Sequence, residues 1–281
     1  MKSLTSVAFP AVALAMLVSA CSGNASAPPA GTAGENGAKD AKAAETKAAS
    51  TAGAGQASAA PLLVKKENEA LDFTYGYPVE AAAIPALASY LDADAEKKLV
   101  DTQKAGNEDV KSAKENNFPV RQHMFSQIWQ RVAQTPKFLS LSSDVETYTG
   151  GAHGMVNFDS LLWDREKKIV LRPVDIFTSA AAFDAAISEP FCKAIISAKR
   201  KKGIDPQMDK DGVFESCPKA TEQTIWLGSS DGQALDRLTI GITAYVVGPY
   251  AEGSYKIDVP MNAALVRGVK PEYAAFVKEK R

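Results

Sequence analysis

Histidine is almost missing from this chain: His123 and His153 are the only two among 281 residues. Zinc hydrolases need clustered ligands, such as an i, i+4 histidine pair with a third histidine or a carboxylate. Two isolated imidazoles do not supply such a set, so neither a metal nor another cofactor is expected. Cysteine is scarce too, with Cys21, Cys192 and Cys217 making up the full count. Neither sign of charge dominates, at 32 Lys and Arg against 33 Asp and Glu. With no basic stripe and no tandem repeat, a nucleic-acid-binding surface is excluded.

The one long apolar run lies at the start. Residues 1–20, MKSLTSVAFPAVALAMLVSA, place a basic residue before an apolar stretch and end in small residues. That pattern is a secretory signal peptide, too short and wrongly flanked for a permanent span. It leads into Val18-Ser19-Ala20-Cys21, which resembles a bacterial lipobox and makes Cys21 the expected lipidation site. Acyl chains there would hold the protein to a membrane without a spanning helix. Ser22, in place of Asp, points to the periplasmic side of the outer membrane. Residues 22–60 contain Ala, Gly, Ser, Thr, Pro, Lys and Glu but no aromatic and no large aliphatic residue. Such a segment cannot bury enough apolar surface to offset its ordering entropy. It reads as a flexible tether, with an expected reach of roughly 35 Å.

The remaining residues can build real cores. In an exported, oxidising compartment Cys192 and Cys217 are expected to pair, contributing about 3–4 kcal/mol in the chain-entropy view. Alternation predicts strands over Leu62–Glu67 and Ala70–Tyr77, then Val120–Gln134, Lys137–Thr149, Met155–Leu162 and Lys168–Leu171. The last four read as an antiparallel meander. Ile84–Asn116 reads as one or two helices broken near Pro85 and Gly106, and Asp175–Lys202 as an amphipathic helix interrupted by Pro190. Further strands are expected at Thr224–Leu227, Leu238–Val247 and Tyr255–Val259, with a short helix around Pro271–Lys280. Strands grouped with helices on one side, rather than strict alternation, predict an α+β fold with antiparallel sheets.

Three motifs bear on chemistry. Gly228-Ser229-Ser230-Asp231-Gly232 fits the G-x-S-x-G nucleophile elbow, but that setting expects the histidine downstream of the serine, and both histidines lie upstream. An ordinary turn accounts for it better. Asp209-Lys210-Asp211-Gly212 lacks the carboxylates that a calcium loop needs at its first and last positions. Glu146, Asp159 and Asp164 lie on or near the strands around the turn Tyr148–Gly154, and a carboxylate pair at the right separation can cleave glycosides. Charged residues on a half-exposed sheet face are the plainer explanation. A hydrolase acting on cell-wall glycan or ester bonds through His153 or Ser230 therefore stands as the alternative to a non-catalytic role.

Two segments are distinctive. The first, YTGGAHGMVNFDSLLWDREKKIVLRPVDIF, starts at Tyr148; the second, YVVGPYAEGSYKIDVPM, starts at Tyr245. Together they resemble the RsiV-like ectodomain family, named for a lysozyme-sensing anti-sigma factor and also found as the accessory region of the PdaC peptidoglycan deacetylase. The resemblance covers most of residues 62–266. It implies two adjoining α+β modules, a PdaC-like one over 61–160 and an RsiV C-terminal-like one over 161–281. It also implies a binding role at the cell envelope, toward a lysozyme-like muramidase or peptidoglycan. Neither a sigma-binding segment nor a polysaccharide deacetylase domain is read in the chain, so neither of those activities is implied. The candidate contact surface is formed by the two glycine turns, with Tyr148, Gly150, Gly151 and His153 on one and Pro249 and Tyr250 on the other. Gly150 and Gly151 are expected to take positive φ, and His153 to fix its turn by hydrogen bonding.

Overall fold

The computed structural model describes residues 60–205 and 217–280. The signal peptide, Cys21, all but the last residue of the tether, and Asp209–Gly212 lie outside the described residues. Strands β1 (Leu62–Asn68) and β2 (Leu71–Tyr77) form an antiparallel hairpin. Its turn is closed by Asn68 Oδ1, which accepts from the Ala70 N–H at 2.9 Å. The alternation in β2 is that of a half-buried strand, with Leu71, Phe73, Tyr75 and Tyr77 all buried. A single turn, α1 (Val79–Ala82), leads to the long helix α2 (Pro85–Glu115). Strands β3 (His123–Gln134), β4 (Phe138–Tyr148), β5 (Met155–Asp164) and β6 (Ile169–Leu171) complete a six-stranded sheet in the order β1-β2-β3-β4-β5-β6. From β3 to β6 the pairing is the expected antiparallel meander. The β2–β3 pair is parallel, with Leu71 opposite His123, because α2 carries the chain back to the end of the sheet where β2 began.

The expected break near Pro85 falls between α1 and α2, whereas α2 itself is one continuous element with no break at Gly106. Pro85 occupies its first turn, where the missing N–H costs nothing. Gly106 lies within the helix, pressed against the β1–β2 turn; a Cβ there would overlap the Ala70 carbonyl oxygen. The glycine marks a close approach of two backbones. Leu87, Leu91 and Ala95 share the buried stripe of α2 at i, i+4 spacing and pack with Phe73, Phe125, Trp129, Leu139 and Leu141 from the sheet.

A 3-10 turn at Pro173–Ile176 precedes α3 (Ala180–Lys201). Ser179 caps α3 by accepting from the Ala182 N–H. The helix passes through Pro190 without interruption. Proline has no N–H, so the carbonyl four residues back loses its helical donor. Here Asn262 fills the gap: its Nδ2 donates to the Ala186 carbonyl at 3.3 Å, while its Oδ1 accepts from the Leu265 N–H and caps α4 (Ala263–Arg267).

The second sheet has β7 (Thr224–Gly228) and β9 (Tyr255–Pro260) flanking β8 (Arg237–Ile242), all antiparallel. Strand β8 stops at Ile242 instead of running to Val247, and the chain turns over with Tyr245 at φ 70°. The C-terminal segment Pro271–Phe276 is a 3-10 helix. Phe183, Ile187, Phe191 and Ile195 of α3 pack on Ile240, Ile257 and Val259 in a core that also takes in Phe138 and Leu162 of the first sheet. The middle of the large sheet is thus covered on both faces, which explains the apolar runs in β4 and β5. β5 and β6 carry that sheet past residue 160 to Leu171. Side chains tie it to β7, since Thr224 Oγ1 donates to the Phe158 carbonyl and Ser160 Oγ to that of Ile225. Cys192 on α3 is bonded to Cys217, with the Cα atoms 5.8 Å apart. The architecture is mixed α+β with two sheet modules.

Candidate functional site

The two glycine turns, nearly a hundred residues apart in sequence, meet at the surface. In Tyr148–Gly154, which joins β4 to β5, Gly150 has φ 87°, a conformation that glycine takes without steric cost. Gly151 has no positive φ, contrary to expectation, and a side chain there would enter open space. Arg121 braces this turn by donating to the Gly150 carbonyl at 3.1 Å and, at 3.4 Å, to the Tyr148 hydroxyl. Across from it, Pro249 leads into a 3-10 turn at Tyr250–Glu252. The rings of His153 and Tyr250 are stacked with centroids 3.7 Å apart and planes 19° from parallel. Tyr245 closes the group, its ring centroid 5.7 Å from that of Tyr250.

Hydrogen bonds fix the histidine tautomer. His153 Nδ1 lies 3.0 Å from the Gly154 carbonyl, which can only accept, so Nδ1 carries the proton. Nε2 is left to accept from the Tyr245 hydroxyl at 3.2 Å. Tyr250 donates to the same Gly154 carbonyl at 2.9 Å. Both tyrosine rings remain well exposed, at 51% for Tyr245 and 37% for Tyr250. The result is a rigid aromatic platform with its polar edges internally satisfied. Tyr245 escaped the sequence reading. Its signal was an aromatic residue at the edge of the second motif, hidden because the run around it looks like strand.

The second turn is held from beneath by the end of α3. Buried Lys199 places its Nζ 3.2 Å from Glu252 Oε2, and the same oxygen accepts from the Tyr255 hydroxyl at 2.8 Å. Burial, and then the Glu252 carboxylate, push the Tyr255 hydroxyl above its ordinary pKa. Lys202 donates to the carbonyls of Glu252 and Ser254 and sits 3.7 Å over the Tyr255 ring. Gly248 is required by this arrangement, because a Cβ would collide with the Glu252 carboxylate.

The other residues weighed for chemistry lie elsewhere. His123 is buried, with Nε2 2.7 Å from Asp109 Oδ2, and so ties β3 to α2. Ser230 Oγ and N–H both donate to the buried Asp236 carboxylate. Asp231 folds back on the Gln233 N–H and pairs with Lys278, so the SSDG run is a turn. Among the described residues no imidazole partners Ser230. Asp164 is fully buried, where it accepts from the N–H groups of Glu166 and Lys167 and pairs with Lys137, the role of a turn-former. Glu146 lies exposed on β4. Among the described residues no group of three or more His, Cys, Asp or Glu is placed to hold a metal ion.

Asp159 belongs to a polar network under α2. Trp129 Nε1 donates to the Tyr75 hydroxyl, which donates to Asp94 Oδ2. Lys98 Nζ reaches that oxygen and Gln127 Oε1, both at 2.7 Å, and lies 3.7 Å from Asp159 Oδ2. Gln127, itself buried, donates to Ser143 and Asp159.

Residues 64–156 match the family model described as Deacetylase PdaC. The match runs from β1 into the start of β5 and includes the first glycine turn. Similar solved structures include a DUF3298 family member from Bacteroides fragilis, 16% identical over 72% of this chain and 89% of that one, with a TM-score of 0.48. A DUF3298 family protein from Pseudomonas aeruginosa PAO1 is 17% identical over 79% of this chain and 95% of that one, with a TM-score of 0.45. No curated protein matches the chain. What the comparisons establish for residues 64–156 is a likeness to the PdaC family model.

Proposed function

We propose that this protein is a non-catalytic binding module of the cell envelope, held by lipid at Cys21 on the periplasmic side of the outer membrane, that docks a lysozyme-like muramidase. The observation that carries the reading is the meeting of the two glycine turns in an exposed His153–Tyr245–Tyr250 platform. Rigid aromatic side chains at a surface are favoured interface anchors, since they bring large contact area at little entropic cost. The likeness of residues 64–156 to PdaC, and of both turn motifs to the lysozyme-sensing ectodomains, supports an envelope partner of this class.

The test is binding of the full lipidated chain in nanodiscs to lysozyme-type muramidases and, in a separate arm, to purified muropeptides. Tyr245→Ala and Tyr250→Ala should each weaken muramidase binding by about 2 kcal/mol or more, as interface anchors do, or roughly thirtyfold. Capture of muropeptides alone, or wild-type affinity in both variants, would sink the muramidase reading.

A further inference from the structure

A concave site lies apart from the tyrosine–histidine platform and shares no lining residue with it. It consists of two neighbouring hollows, of about 350 and 240 Å³, with Asp159, Ser160 and Arg172 in the walls of both. The larger hollow runs under α2 past Tyr90, Asp94 and Trp129, and the smaller reaches Thr221 and Gln223 beside β7. Together they fall in the size range of small-ligand clefts. The lining is mostly polar, which disfavours an apolar guest.

Its charges are distributed unevenly. Arg172 and Asp175 satisfy each other through two hydrogen bonds, at 2.7 and 3.2 Å. Lys98 is engaged with Asp94 at 2.7 Å and stands a full ångström farther from Asp159. Two carboxylates thus share the one Lys98. Asp159, which also accepts from the Ser160 N–H, is the farther from it and the more exposed, at 43% against 27% for Asp94. Among the described residues, Asp94 Oδ1, the Tyr90 hydroxyl and the Gln223 side-chain amide have no hydrogen-bond partner in the protein. The Tyr90 ring is half exposed at the groove wall, giving a flat apolar face beside these polar groups.

From this geometry we infer that the groove binds an amine-bearing sugar chain, with the ligand ammonium at Asp159 and a sugar face against Tyr90. An ammonium neutralises the one unbalanced carboxylate. Hydroxyls suit the free acceptor on Asp94 and the donor and acceptor on Gln223. Pyranose C–H groups can pack on the apolar face of the Tyr90 ring. The site is independent of muramidase docking, so its failure and that of the docking reading are separately visible.

Calorimetry on the full chain should compare a glucosamine tetramer, the N-acetylglucosamine tetramer and free lysine. The glucosamine tetramer is expected to bind more tightly than either of the others. Asp159→Asn should weaken it by about tenfold or more, the scale of one hydrogen bond to a charged group, and Tyr90→Ala should weaken it severalfold through loss of the aromatic face, while muramidase affinity stays unchanged. Tyr90 is half exposed, so its replacement leaves the fold intact. Four results would overturn the assignment: no binding of the glucosamine tetramer, tighter binding of the acetylated one, equal binding of lysine, or wild-type affinity in Tyr90→Ala.

Discussion

A methyl group added at Gly248 would land on the Glu252 carboxylate. Glu252 is not free to move aside, since Lys199 and Tyr255 both hold it and its departure would strand the buried lysine. Breaking a largely buried pair from one side costs a few kcal/mol. Gly248→Ala should therefore lower stability by about 2–4 kcal/mol, read from the urea midpoint. Gly151→Ala, by contrast, faces open space with an ordinary φ and should stay within about 0.5 kcal/mol of wild type. In sequence these two positions look alike. What separates them is a carboxylate folded back from four residues downstream and a lysine reaching in from α3, neither of which leaves a local pattern. Tyr245 was hidden for the same reason: a tyrosine at φ 70° is held there by tertiary contacts, and its own preference would be extended.

At the scale of elements, the periodic signals were legible and the breakers misled. The alternation in β2 and the spacing of Leu87 and Leu91 in α2 come from burial on one face, which any strand or helix must show. Proline and glycine mark breaks only when the surroundings offer nothing in return. Gly106 is matched by the Ala70 carbonyl, and Pro190 by Asn262. Asn262→Ala should destabilise by about 1–3 kcal/mol, through loss of a cap and of the donor to Ala186. Asn262→Asp keeps the cap and should recover part of that loss. In a Pro190→Ala background the helix regains its own N–H, so the cost of Asn262→Ala should shrink in a double-mutant cycle. Additive effects would refute this account of Pro190. The parallel β2–β3 pairing was not visible either, because two strands separated by a 31-residue helix carry no shared turn to announce their register.

For the whole molecule, the α+β class followed from the grouping of strands and helices, and the two glycine turns stood out in sequence as a candidate contact surface, whereas the proposed groove had to await the fold. That groove gathers Tyr90, Asp94, Asp159 and Arg172 from three parts of the chain, and only Asp159 stood out in sequence. Two tyrosine hydroxyls that donate to carboxylates of α2, Tyr75 to Asp94 and Tyr77 to Asp92, bear on stability at high pH. Burial first, and then the hydrogen bond to Asp92, push the Tyr77 hydroxyl from 10.0 up to about 12. Tyr75 moves the same way through burial and Asp94. An acid that holds its proton more tightly when folded contributes fully below its unfolded pKa. That contribution declines as pH climbs past it toward the folded value. Urea midpoints should thus be insensitive to these groups up to about pH 10 and fall between about 10 and 12. Tyr77→Phe should flatten the decline; an equal decline in that variant would rule out Tyr77 as a source. The outermost strand, β1, pairs on one side only and so presents a row of unpaired backbone groups. Two copies could meet edge to edge along such a strand, the geometry in which strands of neighbouring molecules zip into fibrils. Lys65, Lys66 and Glu67 stand exposed along that border, and charged side chains on an open edge oppose such strand-to-strand pairing.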